Sequence, residues 1–287
     1  MNSLSWTTQS STSSLAQGAG SPPLQVVVLN TGAGSFNVNS TLIAGGKDAL
    51  LIDAGFTRAD ALRIAANVLD SGKNLVGILV SQADPDYYFG VETLREFFPE
   101  VLVWAPPAVL EKLRAKMEGK LAFWVPKMGA NAPKTPIVPQ PLTSASLTLE
   151  GHAIEVRGQF GPLAHRPYCW IPSIRAIVGT IGIFGNLHVW TADTQTVAER
   201  SLWIEQLKEI AALKPEIVVP GHMASGTALD NSAVEFTKQY LQTFEEAIAK
   251  SASSEDLMAA MKAAYPQAPV SLALQIGAKV NKGEMKW

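Results

Sequence analysis

The side chains of this 287-residue sequence that could do chemistry gather in a few short stretches. One of them, Ser81-Gln82-Ala83-Asp84-Pro85-Asp86-Tyr87-Tyr88-Phe89-Gly90, carries two carboxylates with no Lys or Arg beside them. Two carboxyl groups crowded into a dry cleft differ in proton affinity, so one can act as an acid and the other as a base. A tyrosine hydroxyl beside them can donate to a developing oxyanion. Asp84, Asp86 and Tyr87, together with His222 of Pro220-Gly221-His222, are therefore the candidate catalytic residues. A plainer reading of the acid pair is compensation of a helix dipole, because a helix is expected to start just after it.

His188 and Trp190, in Gly185-Asn186-Leu187-His188-Val189-Trp190, either face a cleft or belong to the interior, and the sequence leaves both open. His165, in Ala164-His165-Arg166-Pro167, reads as ordinary loop surface, and His152 is given no role. The single cysteine, Cys169, reads as a buried small hydrophobe rather than a nucleophile, since no sequence neighbour would lower its pKa.

These stretches need elements to position them. Residues 1–23 carry no charge and are mostly Ser, Thr, Gln, Asn, Gly and Pro, which predicts a flexible tail. From Leu24 short β-rich runs follow at Leu24 to Leu29, Val38 to Ile43 and Ala49 to Ile52. Thr57 and Asp60 resemble a capping box for a helix reaching Ser71-Gly72. A buried strand at Val76 to Val80 leads through the acidic loop to a helix at Gly90 to Phe98, then to a strand at Val101 to Trp104. Residues 126–141 hold five prolines and are expected as an ordered crossing without helix. Strands recur at Ser146 to Leu149, Ile154 to Val156, Tyr168 to Ile171, Ala176 to Val178 and Ile217 to Val219. Helices are expected at Val197 to Leu213, Asn231 to Lys250, Glu255 to Ala264 and Ser271 to Val280. The order of elements suggests a layered β-sandwich with helices on both outer faces.

Composition narrows the partners. With 23 Lys+Arg against 25 Asp+Glu and no basic cluster, a nucleic-acid partner is not expected. No apolar run approaches the roughly 20 residues of a membrane span, and neither a secretory signal nor a disulfide pair is legible. The expectation is a soluble, cytoplasmic protein whose partner is a small molecule, with a homo-oligomer left open.

The sequence of Leu51-Ile52-Asp53-Ala54-Gly55, then Ser81 to Gly90, then Val218-Val219-Pro220-Gly221-His222 resembles the metallo-β-lactamase fold hydrolases over about residues 24–250. The resemblance implies a four-layer αβ/βα sandwich, with 251–287 as a C-terminal helical extension packed on the same domain. It also implies a dinuclear zinc site built from a Thr/Ser-His-x-His-x-Asp-His loop, a later Gly-His, a bridging Asp and the His of Pro-Gly-His. Here the matching positions are Gln82, Asp84, Asp86 and Tyr87 in the loop, Gln159 after Gly158, Ile181 near the bridging Asp, and His222. A neutral carboxamide is a poor zinc donor and an aliphatic side chain donates nothing, so a dinuclear zinc centre is not expected. The ligands left for a single divalent ion, zinc or a harder cation, are Asp84, Asp86 and His222. Gln82, Gln159, His188 and Trp190 are the candidate substrate-binding residues.

Three functions follow from this reading. One is a hydrolase of a lactone, lactam, ester or thioester working with one metal ion or none. Another is a non-catalytic descendant that keeps the cleft for a small molecule or a partner. The third is metal-free lyase or isomerase chemistry on the acid pair.

Overall fold

The structure, a computed structural model, describes residues 6–9 and 22–287. Its first half alternates short apolar runs with turns, and these pair into a seven-stranded sheet in sequence order. The strands are β1 (Trp6–Gln9), β2 (Gln25–Asn30), β3 (Asn39–Ala44), β4 (Asp48–Ile52), β5 (Asn74–Leu79), β6 (Leu102–Ala105) and β7 (Gln140–Pro141). β1 to β4 pair antiparallel, and β4 to β7 pair parallel. Parallel neighbours need crossovers, and these are the helices α1 (Arg58–Asp70), α2 (Pro85–Tyr88), α3 (Val91–Phe97) and α4 (Pro107–Met128). The Thr57/Asp60 capping box that starts α1 is formed in both directions.

The second half repeats the plan on a smaller sheet. Its strands are β8 (Ser146–Leu149), β9 (His152–Arg157), β10 (Tyr168–Ile171) and β11 (Ala176–Val178), followed by β12 (Phe184–Gly185), β13 (Ile217–Val218) and β14 (His222–Met223). Five of them form a sheet in the order β13-β11-β10-β9-β8, while β12 and β14 pair separately. The helices of this half are α5 (Val197–Ala212), α6 (Ser232–Lys250), α7 (Ser254–Ala264) and α8 (Leu272–Asn281).

Three apolar cores separate four layers. Val28, Ile43 and Ile52 of the first sheet meet Val156, Ile171 and Val178 of the second between the sheets, and buried Cys169 lies in the same layer. Outside the first sheet, Ile64, Leu94 and Leu110 bring α1, α3 and α4 onto Leu51 and Ile78. Outside the second, Trp203, Tyr240, Leu257 and Leu274 bring α5 to α8 onto Tyr168 and Ile177. The architecture is the expected four-layer αβ/βα sandwich, and each layer boundary removes apolar surface from water. α7 and α8 share the outer core with α6.

Two regions differ from the sequence expectation. α4 continues through Pro126 to Met128, inside the stretch expected to be free of helix. Pro126 stands in the last turn, where its missing N–H costs a single bond and no helix follows to be kinked. The rest of α4 lies outside the predicted elements. Its fully buried side chains, Val109, Leu110 and Leu113, sit in its first turns, and Met117, Leu121, Trp124 and Met128 continue the apolar stripe half-buried against the same core. Apart from β1 and the last two residues, the expected flexible stretch 1–23 lies outside the described residues. No helix among the described residues is long and apolar enough to cross a membrane.

Candidate functional site

The carboxyl ends of β4, β5, β11 and β13 open toward one edge of the sandwich, where loops from both sheets meet. Asp53 ends β4 with a left-handed backbone (φ 65°) and is buried. Its carboxylate accepts hydrogen bonds from the Ser81 backbone N–H and hydroxyl, each at 2.7 Å, which fixes the start of the acidic loop against β4. Burial outweighs these bonds and pushes the Asp53 carboxyl up to about 7.

Asp86 and Tyr87 lie in α2, and His222 opens β14; all three are buried. Nδ1 of His222 lies 3.0 Å from the Phe36 carbonyl, which can only accept, so Nδ1 carries the proton and Nε2 is left as an acceptor. The Tyr87 hydroxyl, 3.1 Å from Nε2, donates to it. The imidazole is stacked on Phe184 and meets Tyr87 edge-on. Desolvation pushes His222 down to about 4, so the ring is neutral at pH 7. Burial, with Asp84 adding to it, pushes Asp86 up to about 8. The 3.5 Å approach of Asp86 to Nε2 is therefore a contact between neutral groups, not an ion pair. Gly221 makes the arrangement possible, because a Cβ there would stand 2.0 Å from the Thr180 carbonyl oxygen and 2.6 Å from the Tyr87 hydroxyl.

The open part of this edge is a small cleft lined by Gln82, Ala83, Asp84, Lys112, His165, Arg166, Ile181, Trp190 and Asp193. Gln82 donates its amide N–H groups to the carbonyls of Pro167 (2.9 Å) and Gly179 (3.4 Å), which stitches the acidic loop to the second sheet. Asp84 pairs with Lys120 of α4 at 3.2 Å. Arg166 is buried with its guanidinium 3.9 Å over the Trp203 ring, and burial lowers its pKa. Lys112, also from α4, and His165 complete the wall; desolvation pushes His165 down to about 4. Trp190 donates to Asp193 at 2.8 Å and meets Trp287 edge-on.

Of the residues singled out from sequence, the cleft brings together Gln82, Asp84 and Trp190. Asp86, Tyr87 and His222 form a closed cluster and do not line it. Gln159 turns its amide back to the Val156 carbonyl at 2.8 Å, and His188 is buried against the Tyr240 hydroxyl of α6 at 3.0 Å; neither lines the cleft. His165, expected as ordinary surface, does line it. Arg166, Lys112, Lys120 and Asp193 were not legible as a group, although Lys112, Lys116 and Lys120 recur every fourth residue along one face of α4.

Residues 33–172 match the family model for the metallo-beta-lactamase superfamily. Among solved structures, a metallo-beta-lactamase family protein from Thermus thermophilus superposes with a TM-score of 0.63 at 16% identity, covering 92% of each chain. A metallo-beta-lactamase from Pontibacter korlensis gives a TM-score of 0.58 at 18% identity over 84% of this chain and 99% of its own. The chain has the metallo-β-lactamase fold, and just under half of it resembles that family in sequence. A search of curated proteins finds no match.

Metallo-β-lactamase fold proteins usually hold zinc at this edge, and the donor chemistry here does not fit a metal ion. Nε2 of His222 is occupied by a tyrosine hydroxyl, and Gln82 turns its N–H groups to carbonyls. Asp84 is held by a lysine, and the Arg166 guanidinium lines the same cleft. Asp84, Asp86 and His222, the set expected to hold a single ion, are not brought together as ligands. Among the described residues no group of three or more His, Cys, Asp or Glu side chains is placed to hold a metal.

Proposed function

We propose that this metallo-β-lactamase fold protein binds a small molecule in the Gln82–Arg166–Trp190 cleft without a metal ion. The observation that carries this reading is the buried Arg166 cation lining the cleft beside Gln82, Asp84 and Ile181, three positions that the family resemblance gives to metal ligands. A fixed guanidinium at such a place repels a divalent cation and attracts an oxyanion. The neutral Asp86–His222–Tyr87 cluster supports the same reading, since both ring nitrogens of His222 are taken by the Phe36 carbonyl and the Tyr87 hydroxyl.

A hydrolase reading has one observation in its favour. Asp84 is a carboxylate in the cleft itself, 3.2 Å from Lys120, where it could serve as a base for water while Arg166 faces a developing oxyanion. Elemental analysis of the purified protein, followed by a lactone, lactam, ester and thioester screen with and without chelator, separates these readings. The binding reading expects substoichiometric metal, unchanged thermal stability in chelator and no turnover. Zinc near two per chain would overturn it. Turnover that survives chelation and is lost in Asp84→Asn would establish the metal-free hydrolase instead.

A further inference from the structure

Two polar groups of the cleft have bonding capacity that the fold does not use. Arg166 is only 5% exposed, its Nε is buried without a hydrogen-bond partner, and among the described residues no carboxylate lies within ion-pair reach of its guanidinium. The two carboxylates that share the cleft are paired elsewhere. Asp84 is with Lys120 at 3.2 Å, and Asp193 is with Lys116 at 3.8 Å while accepting from Trp190 and Trp287. Gln82 is 1% exposed, and the two carbonyls beside Nε2 fix its amide orientation, because a carbonyl cannot donate. Its Oε1 is thereby left buried and unpartnered. A buried polar atom without a partner costs roughly 1–3 kcal/mol, so a cleft lined by one unmatched cation and one unmatched acceptor favours any ligand that matches both.

Charge on the surrounding elements points the same way. Lys112, Lys116 and Lys120 from α4 and Arg166 from the second sheet's loop stand against Asp84 and Asp193. Both carboxylates also act on Lys112 and Arg166, so four cations share two carboxylates and the cleft keeps a positive surplus. Trp190 supplies an apolar wall beside these groups.

We propose that the cleft recognises a small organic acid carrying an N–H donor close to its carboxylate, with Arg166 taking the carboxylate and Gln82 Oε1 the donor. A planar guanidinium matches a carboxylate through paired N–H bonds, and burial strengthens them. This assignment rests on the metal-free binding reading above and names its ligand class.

The test is titration calorimetry at low salt on chelator-treated full-length protein with four probes: N-acetylglycine, its neutral amide N-acetylglycinamide, acetate and inorganic phosphate. N-acetylglycine is expected to saturate at one per chain and to bind at least about tenfold more tightly than the neutral amide. Acetate, which lacks the donor, is expected to be several-fold weaker. Arg166→Gln should bring N-acetylglycine down to the level of the neutral amide, and Gln82→Leu should abolish the preference for N-acetylglycine over acetate. Should Arg166→Gln fail to fold, the four probes on the wild-type protein and the weaker binding expected of Arg166→Lys decide the matter. Equal affinity for N-acetylglycine and its amide overturns the assignment, as does tighter binding of phosphate or the absence of saturation by any probe. Binding that appears only when metal is restored would overturn the underlying reading instead, so the two failures are distinguishable.

Discussion

Asp86 shows how a single buried carboxyl sets a pH dependence for the whole chain. Below about pH 4 both the native and the unfolded chain keep its proton, whereas between there and pH 8 only the native chain does. Folding is therefore progressively disfavoured as pH rises through that window, and Asp53 acts the same way up to about 7. His222 and His165 oppose this. Between pH 6.5 and about 4 the unfolded chain takes up protons that the native rings refuse, so their contribution is lost on acidification. The two trends offset one another below pH 6.5, and only the carboxyls act between 6.5 and 8. The midpoint of thermal unfolding should accordingly fall from pH 6.5 to 8. Asp86→Asn, which is neutral throughout, should flatten that fall, and a variant profile parallel to the parent would show that Asp86 does not hold the proton. The identity of these residues was legible in the sequence, but their enclosure was not. Nothing in Asp-Pro-Asp-Tyr-Tyr states that Tyr87 will reach His222 rather than a ligand, because that contact spans 135 residues and depends on how two sheets dock.

At the scale of elements, the clearest sequence signals were local ones. Thr57 with Asp60 closes the reciprocal capping box expected from the sequence and starts α1, and Thr196 with Glu199 closes a second one at the start of α5. Thr196→Ala should lower the stability measured by urea unfolding by about 1 kcal/mol, and a variant indistinguishable from the parent would mean that α5 is held by its packing alone. Most strands of both sheets were equally readable from their β-branched runs, but β1, inside the stretch expected to be flexible, and the two-residue β7 were not. α4 carries a helical signal as well, since Leu110, Leu113, Met117, Leu121, Trp124 and Met128 recur at three- and four-residue spacing, and Pro126 argues against helix only at its end. What that helix contributes to the cleft is a row of lysines. The row is regular in sequence, yet it acquires meaning only when Asp84 and Asp193 are placed opposite it.

The molecule as a whole is a sandwich whose outer helices are held by polar ties as well as by apolar contact. Arg200 of α5 bonds Glu245 of α6, the Thr194 carbonyl and Asn281 of α8, and Glu284 receives both the N–H and the hydroxyl of Ser254. Ending the chain after Lys250 would strip Leu257, Met261 and Leu274 from the outer core and leave Arg200 without Asn281. Such a chain should be insoluble or should unfold without a cooperative transition, and a sharp thermal transition close to that of the full chain would show α7 and α8 to be dispensable.

The guanidinium of Arg166 lies over the ring of Trp203, whose own N–H is bonded to the Gly182 carbonyl in a fully buried setting. An indole held this rigidly beneath a positive charge has an excited state tuned by that charge. An acid taken by Arg166 as proposed would partly neutralise that charge and should shift the Trp203 component of the emission, a shift that Trp203→Phe should remove.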